Sequence, residues 1–197
     1  QEDFAYSDAL GTFSLQRSYN SKNAERLGLF GRGFTGFLDE SIGKLSDGTI
    51  VYNREDGSSL YFTPGENGTF ITPEGYQLTL TATQTGTATA EFSNGTQSYP
   101  IYRYDIKRED NSIVSFDERG NMLQLKEENG AITTINRNGD GTITGITREG
   151  ITMAVTMTED GRIASVTMPT GGTYTYSYDS NHNLVKVTDP LGNSKRF

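Results

Sequence analysis

The chain contains no cysteine, no tryptophan and a single histidine, His182. Without thiols there can be no disulfide, no thiolate metal site and no cysteine nucleophile. The compartment stays open, since many exported proteins also avoid cysteine. One histidine, with no second His or Cys beside it, leaves no pair for a common zinc site or a histidine-assisted nucleophile. It stands between Asn181 and Asn183 and is predicted to be a solvated turn residue. Basic charge is also short: 17 Lys and Arg against 25 Asp and Glu give a formal net charge of −8. Phosphate backbones reward Lys and Arg, so nucleic-acid binding is excluded and anionic membrane surfaces are disfavoured. No apolar run approaches the roughly 20 residues that span a bilayer, so no membrane insertion is expected. Gln1-Glu2-Asp3 has neither the basic nor the apolar region of a signal peptide, and any export signal is expected to be absent or already removed.

What the chain does contain is glycine, 23 residues of it against 5 prolines, together with many threonines and few leucines or alanines. That composition predicts strands and tight turns, with little helix. In the second half the turns keep a beat of nine to eleven residues, at Gly120, Gly130, Gly141, Gly150, Gly161, Gly171-Gly172 and Gly192, with Asn181-His182 filling the remaining place. Most are Asp-Gly, Asn-Gly or Glu-Gly pairs, which accept the positive φ of a hairpin turn. Between them the residues alternate. In Thr173-Tyr174-Thr175-Tyr176-Ser177-Tyr178 the tyrosines share one face, and Ile151, Met153, Val155 and Met157 follow the same rule. No face can be assigned for Ile163 to Met168.

Two hairpin intervals make a larger unit of about 21 residues. With Gly120, Gly141, Gly161 and His182 aligned, two residues on lie Met122, Ile143, Ile163 and Leu184, and five on lie Leu125, Ile146, Val166 and Val187. A two-stranded unit cannot bury its apolar face alone and needs stacked neighbours. The expected fold is therefore all-β, with antiparallel β-hairpin repeats forming an extended curved sheet. The first half is less regular and richer in aromatics: Phe4, Phe13, Tyr19, Phe30, Phe34 and Phe37 precede residue 40, and Asp47-Gly48, Asp56-Gly57, Asn67-Gly68, Glu74-Gly75 and Asn94-Gly95 mark turns. The polar cluster Lys107-Arg108-Glu109-Asp110-Asn111 suggests a division into an aromatic-rich β module, 1–110, and about four repeats, 111–197. The cluster reads equally well as one more hairpin turn.

The last unit, Tyr178-Asp179-Ser180-Asn181-His182-Asn183-Leu184-Val185-Lys186-Val187-Thr188-Asp189-Pro190-Leu191-Gly192-Asn193, resembles the YD repeat of bacterial Rhs proteins: Tyr-Asp, a short turn, an apolar alternation, then Asp-Pro-x-Gly. Phe116-Asp117 opens a similar unit with Phe for Tyr, and Gly161-Arg162-Ile163 with Val166 looks like the unit without its Tyr-Asp. Arg17-Ser18-Tyr19-Asn20-Ser21 followed by Leu29-Phe30-Gly31-Arg32-Gly33-Phe34 is similar to the module that precedes the repeats in many Rhs-type proteins, with Phe34 where Trp is usual. The resemblance implies a structural part for Arg17, Tyr19, Phe30, Gly31, Gly33, Phe34, Tyr178, Asp179, Asp189, Pro190 and Gly192. It also implies a sheet that spirals into a hollow shell around a C-terminal toxin or effector, a design shared with teneurins and the C components of insecticidal toxin complexes. In many Rhs proteins Asp-Pro-x-Gly-Leu ends the core before self-cleavage. Here Asn193 replaces that Leu, so an internal turn is expected.

Chemical motifs fare worse than structural ones. Gly31-Arg32-Gly33-Phe34-Thr35-Gly36 has the spacing of a dinucleotide-binding loop, which needs a following helix that the sequence does not offer. Asn136-Arg137-Asn138-Gly139-Asp140-Gly141 begins like a calcium loop but carries Thr147 where a bidentate Glu is required. The carboxylates cluster in turns, where solubility explains them. No catalytic, cofactor-binding or metal residue is assigned, and no enzyme is expected. The leading reading is a scaffold segment of a secreted or cell-surface bacterial shell, whose partners are the rest of the parent chain and its C-terminal cargo, with weak self-association through a sheet edge. The competing reading is a module whose tyrosine faces grip cell-surface carbohydrate, which eleven tyrosines permit and the missing tryptophan disfavours.

Overall fold

The structure is a computed structural model that describes residues 2–8, 11–21, 24–93 and 95–197. It is all-β and antiparallel, with short 3-10 turns such as Phe37–Asp39 and Glu66–Gly68. The chain divides into two compact units, each discontinuous in sequence. One comprises residues 1–40, 54–58 and 129–197, and the other residues 41–53 and 59–128.

In the first unit β1 (Glu2–Asp8) and β2 (Gly11–Gln16) form a hairpin, β3 (Ser18–Tyr19) pairs β6 (Phe34–Thr35), and β4 (Leu27–Gly28) pairs β5 (Gly31–Arg32). Seven further strands run in chain order: β15 (Ile132–Arg137), β16 (Ile143–Arg148), β17 (Ile151–Met157), β18 (Ile163–Thr167), β19 (Thr173–Tyr178), β20 (Leu184–Thr188) and β21 (Ser194–Arg196). In the second unit β7 (Ser41–Lys44), β8 (Ile50–Asn53), β9 (Ser59–Pro64) and β10 (Phe70–Ile71) make a four-stranded sheet. There β11 (Thr79–Phe92) and β12 (Gly95–Lys107) form a long hairpin, followed by β13 (Ile113–Phe116) and β14 (Met122–Lys126).

The ten-residue beat is the beat of the hairpins. Gly120, Gly130, Gly141, Gly150, Gly161, Gly171 and Gly192 all have positive φ, and His182 takes the same conformation at φ 66°. One turn design recurs. The amide of Gly120 donates to the Asp117 carbonyl and that of Asp117 to the Asn121 carbonyl, a type I turn closed by a residue in the left-handed region. The same two bonds recur at Asn138–Thr142, Thr158–Arg162, Asp179–Asn183 and Asp189–Asn193. Register shifts fall at Ser115/Phe116, Asn136/Arg137, Thr156/Met157 and Ser177/Tyr178, twenty to twenty-one residues apart. The 21-residue unit is thus two hairpins, one of which carries a bulge.

The bulge explains why Ile163 to Met168 shows no clean alternation, since the β17–β18 register slips there. Burial nonetheless settles the faces. Met122, Ile143, Ile163 and Leu184 are buried, as are Ile146, Val166 and Val187, while Leu125 is half-buried.

Residues 107–112 turn β12 back onto β13, so the polar cluster is one more hairpin turn, one of the two readings its sequence offers. The segment after Gly36 begins with a 3-10 turn, because the Asp39 carboxylate gathers the Gly36 and Leu29 amides at 2.9 and 2.7 Å. β21 pairs with β20 and carries the exposed charges Lys195 and Arg196, the kind of residue that protects a sheet edge. Asn94 and Gln1 lie outside the described residues, as does the side chain of Phe4.

Candidate functional site

Most of the residues singled out by sequence meet in one place, where the N-terminal segment of the first unit covers the apolar face of β18–β20. Arg17 follows β2 directly and its side chain is fully covered, as is that of Asp3 on the paired strand. The pair is bidentate: Nε lies 2.9 and 3.2 Å from the two Asp3 oxygens and Nη2 lies 3.0 Å from Oδ1. The Tyr176 hydroxyl donates to Asp3 Oδ2 at 3.1 Å, which ties a repeat strand to β1. The Phe34 and Phe197 rings sit 5.0 and 4.9 Å from the Arg17 guanidinium carbon. A buried charge persists only when it is paired and hydrogen-bonded, and this one is. Burial, and then the Asp3 charge, push the Tyr176 hydroxyl far above its ordinary pKa, so it donates at every accessible pH.

The β4–β5 hairpin sits against the repeat turns beside this pair. Phe30, buried at its tip, packs 5.2 Å from the Tyr176 ring. Backbone bonds complete the seat: the Ile163 amide donates to the Leu29 carbonyl at 2.8 Å and the Arg32 amide to the His182 carbonyl at 3.0 Å. Arg32 Nε donates to the Asn181 carbonyl at 2.8 Å, and the Tyr178 hydroxyl to the Ile163 carbonyl at 2.7 Å. Gly31 is required by this approach: a Cβ there would lie 2.6 Å from the His182 carbonyl oxygen. Gly33 is required by another, since its Cβ would meet the Tyr19 ring at 2.6 Å. The glycine motif therefore lets backbone approach backbone and ring.

The aspartates of the repeat motif have a separate task. Asp179 Oδ1 accepts the Asn181 and Asn183 amides and Oδ2 accepts Asn183 Nδ2, all within 2.9 Å. Asp189 does the same for Leu191 and Asn193. Hydrogen bonds led by those from the Asn183 and Asn193 side chains hold both carboxyls below the usual carboxylate range. Pro190 supplies the fixed φ of the turn's first corner, and Gly192 its positive φ of 85°. Asn193, standing where the family's cleavage motif has Leu, is a working partner of the Asp189 staple. The calcium-like loop is also a stapled turn: Asn138 Oδ1 and Asp140 Oδ1 both accept the Thr142 amide.

Sequence reasoning missed two members. Asp3 carried no signal, because only the fold brings it to Arg17. Thr158 was passed over because the third unit lacks Tyr-Asp. Its hydroxyl accepts the Arg162 amide at 2.9 Å, as the Asp117, Asn138 and Asp179 side chains accept theirs. His182 is more than a solvated turn residue, since its carbonyl is a seat contact and its ring lies 3.1 Å from the Asp160 carboxylate. Among the described residues no three or more His, Cys, Asp or Glu are grouped to hold a metal ion.

A family model described as RHS Repeat matches residues 158–194. A second, described as Domain of unknown function (DUF6531), matches residues 1–62. The chain belongs to the Rhs/YD-repeat family. No curated protein matches it. The Rhs repeat model covers the turns at Thr158, Met168, Asp179 and Asp189, of which all but the Met168 turn are stapled by a side chain, and the other covers the Arg17-to-Phe34 motif of the seat. The Rhs repeat is a structural repeat, and the role of this sheet is structural. Among the described residues no helix is long and apolar enough to cross a membrane.

Two expected results follow from the seat. Phe30→Ala should destabilise the chain by about 3–5 kcal/mol, because the whole ring is buried. Phe34 is only half-buried, so Phe34→Ala should cost less than half as much, and urea midpoints of the two variants check the order. The second concerns Asp39, whose carboxyl burial pushes up to about 6 against the opposing pull of the Leu29 and Gly36 amides. A raised carboxyl binds its proton more tightly in the folded state. Its contribution is therefore complete below pH ~4 and lost as pH rises through ~6, a swing of about 2–3 kcal/mol. Asp179 and Asp189, held low, contribute in the opposite sense, present above the ordinary carboxylate pKa and lost in acid. Carbon-13 titration of the Asp39 carboxyl should give a midpoint near 6, and a midpoint at the ordinary value of about 4 would refute the assignment.

Proposed function

We propose that this chain is a segment of shell wall with its end closure, from a secreted or cell-surface bacterial Rhs protein that encloses a C-terminal toxin or effector. The observation that carries the reading is the seat: an N-terminal segment pinned by a buried Arg17–Asp3 pair, Tyr176 and Phe30 onto the apolar face of the repeat strands. Covering that face from within the chain is what a closed end needs. The partners are the remainder of the parent chain and the cargo, and β21 offers an edge to which a following hairpin, or weakly a second copy, would add. Sugar binding by the repeat tyrosines is not favoured. Tyr176 and Tyr178 turn inward, and their hydroxyls are taken by Asp3 and the Ile163 carbonyl.

Limited proteolysis of the full parent protein tests this. The C-terminal region should resist protease while the shell is intact and become sensitive when Asp3→Ala and Phe30→Ala together open the seat. Equal sensitivity of that region in both proteins would overturn enclosure.

A further inference from the structure

The hairpin of β11 and β12 runs well past the strand beside it. β13 pairs with β12 only over Tyr104–Lys107, so residues 82–103 stand out as a two-stranded ribbon. Such a ribbon is marginally stable in water by itself and gains from a third strand. Its two edges are guarded unequally. The free stretch of β12 carries Pro100 and Arg103, a residue without an amide and a charge, and both discourage strand addition. β11 is the terminal strand of its sheet, and none of its fourteen residues is Pro, Lys or Arg. Pro100 also shows which backbone groups of β11 face outward. It pairs with Thr87 and has no N–H to give, so the pair is of the kind without hydrogen bonds, and Thr87 turns its own amide and carbonyl away from β12. Thr89 and Glu91 share that parity. A bulge between Gln84 and Gly86 sets the side chains beyond it: Gly86, Ala88, Ala90 and Phe92 share a face with Tyr99 and Ile101. On that face Phe92 is 53% exposed and Tyr99 43%.

We propose that the outer edge of β11 pairs antiparallel with the same edge of a second copy of this chain, about a twofold axis at Thr89. The sequence Gly86–Phe92 is self-complementary in that register. Thr89 meets its own counterpart and Thr87 meets Glu91, and these are the residues whose amides and carbonyls point outward. On the other face Ala88 meets Ala90 and Gly86 meets Phe92. The phenyl ring then covers the glycine and reaches Ile101, the residue paired with Gly86, as aromatics do over strand glycines. Each Glu91 stands opposite a threonine, so no like charges face one another. The edge is short against the roughly 20–30 residues a side of a stable complex, so the dimer is weak. It uses no residue of β21 or of the N-terminal seat, and it stands whether or not the chain encloses a cargo.

The chain has no cysteine, so one introduced thiol reports the axis. Thr87→Cys, Thr89→Cys and Glu91→Cys versions of the whole chain are oxidised at equal concentration, and disulfide-linked dimer is followed with time. Residue 89 faces its own counterpart, whereas two copies of residue 87, or of residue 91, lie about 14 Å apart along the strands, beyond the reach of a disulfide. Thr89→Cys should therefore cross-link roughly tenfold faster or more than the other two. Sedimentation of the unsubstituted chain should give a dimer with Kd of about 0.1–1 mM. Thr89→Pro removes an outward amide and no bond to β12, so it should weaken the dimer roughly tenfold or more while the Tyr99 and Ile101 amide shifts are kept. If that variant loses the ribbon, the cross-linking order decides alone. Equal cross-linking at the three positions would overturn the proposal, and so would a chain that stays monomeric to about 2 mM. Association unchanged by Thr89→Pro, with the ribbon intact, would place the contact at another edge and overturn it too.

Discussion

Asp3→Ala should destabilise the folded chain by about 3–5 kcal/mol, because it leaves the Arg17 guanidinium buried, charged and without its bidentate partner. It should also free the Tyr176 hydroxyl, which donates to the same carboxylate. Burial and pairing oppose one another here. Removing both ions is therefore less costly than removing one, and Arg17→Met added to Asp3→Ala should recover part of the loss. Urea denaturation of the two variants measures this. An Asp3→Ala protein within about 1 kcal/mol of the parent would show that the pair is solvated and the seat looser than described.

Gly120→Ala should be nearly as damaging, for a steric reason. Gly120 has φ 86°, and a Cβ there would be driven into the Ile42 carbonyl of β7, whose amide in turn donates to the Gly120 carbonyl at 3.1 Å. The left-handed conformation costs an L side chain about 1–2 kcal/mol, and displacing packed backbone adds about 1–3 kcal/mol. Gly141 occupies the same place in the next repeat with φ 93° and open space around it, so Gly141→Ala should incur only the first cost. Equal losses at the two sites would mean that β7 does not rest on the Gly120 turn.

The contrast between those glycines shows what was legible. The beat of turns, the positive φ and the buried apolar positions two and five residues on were all readable, because each is set by residues within one hairpin. His182 in a glycine place was readable for the same reason, since the Asn-His pair stood where the beat required a turn. The bulges blurred the alternation only in the segment they interrupt. By contrast, Tyr176 reaches Asp3 across 173 residues and Arg32 reaches Asn181 across 149, and no local pattern encodes such a meeting. The family motif named Arg17, Phe30 and Gly31 without saying what they touch. The polar cluster at 107–111 left a module boundary and a hairpin turn equally open, because charge belongs to both, and the discontinuous units depend on contacts distant in sequence.

The account stands on the N-terminal segment and the repeats of the first unit unfolding together, and native-state hydrogen exchange reads that directly. The Arg32 amide donates to the His182 carbonyl and the Ile163 amide to the Leu29 carbonyl, while the Val166 amide belongs to the repeat sheet itself. All three should exchange with the same opening free energy, that of global unfolding. An Arg32 amide that exchanges several kcal/mol more easily than Val166 would mean that the segment lifts away while the sheet stays folded, and the seat would not be the closure described.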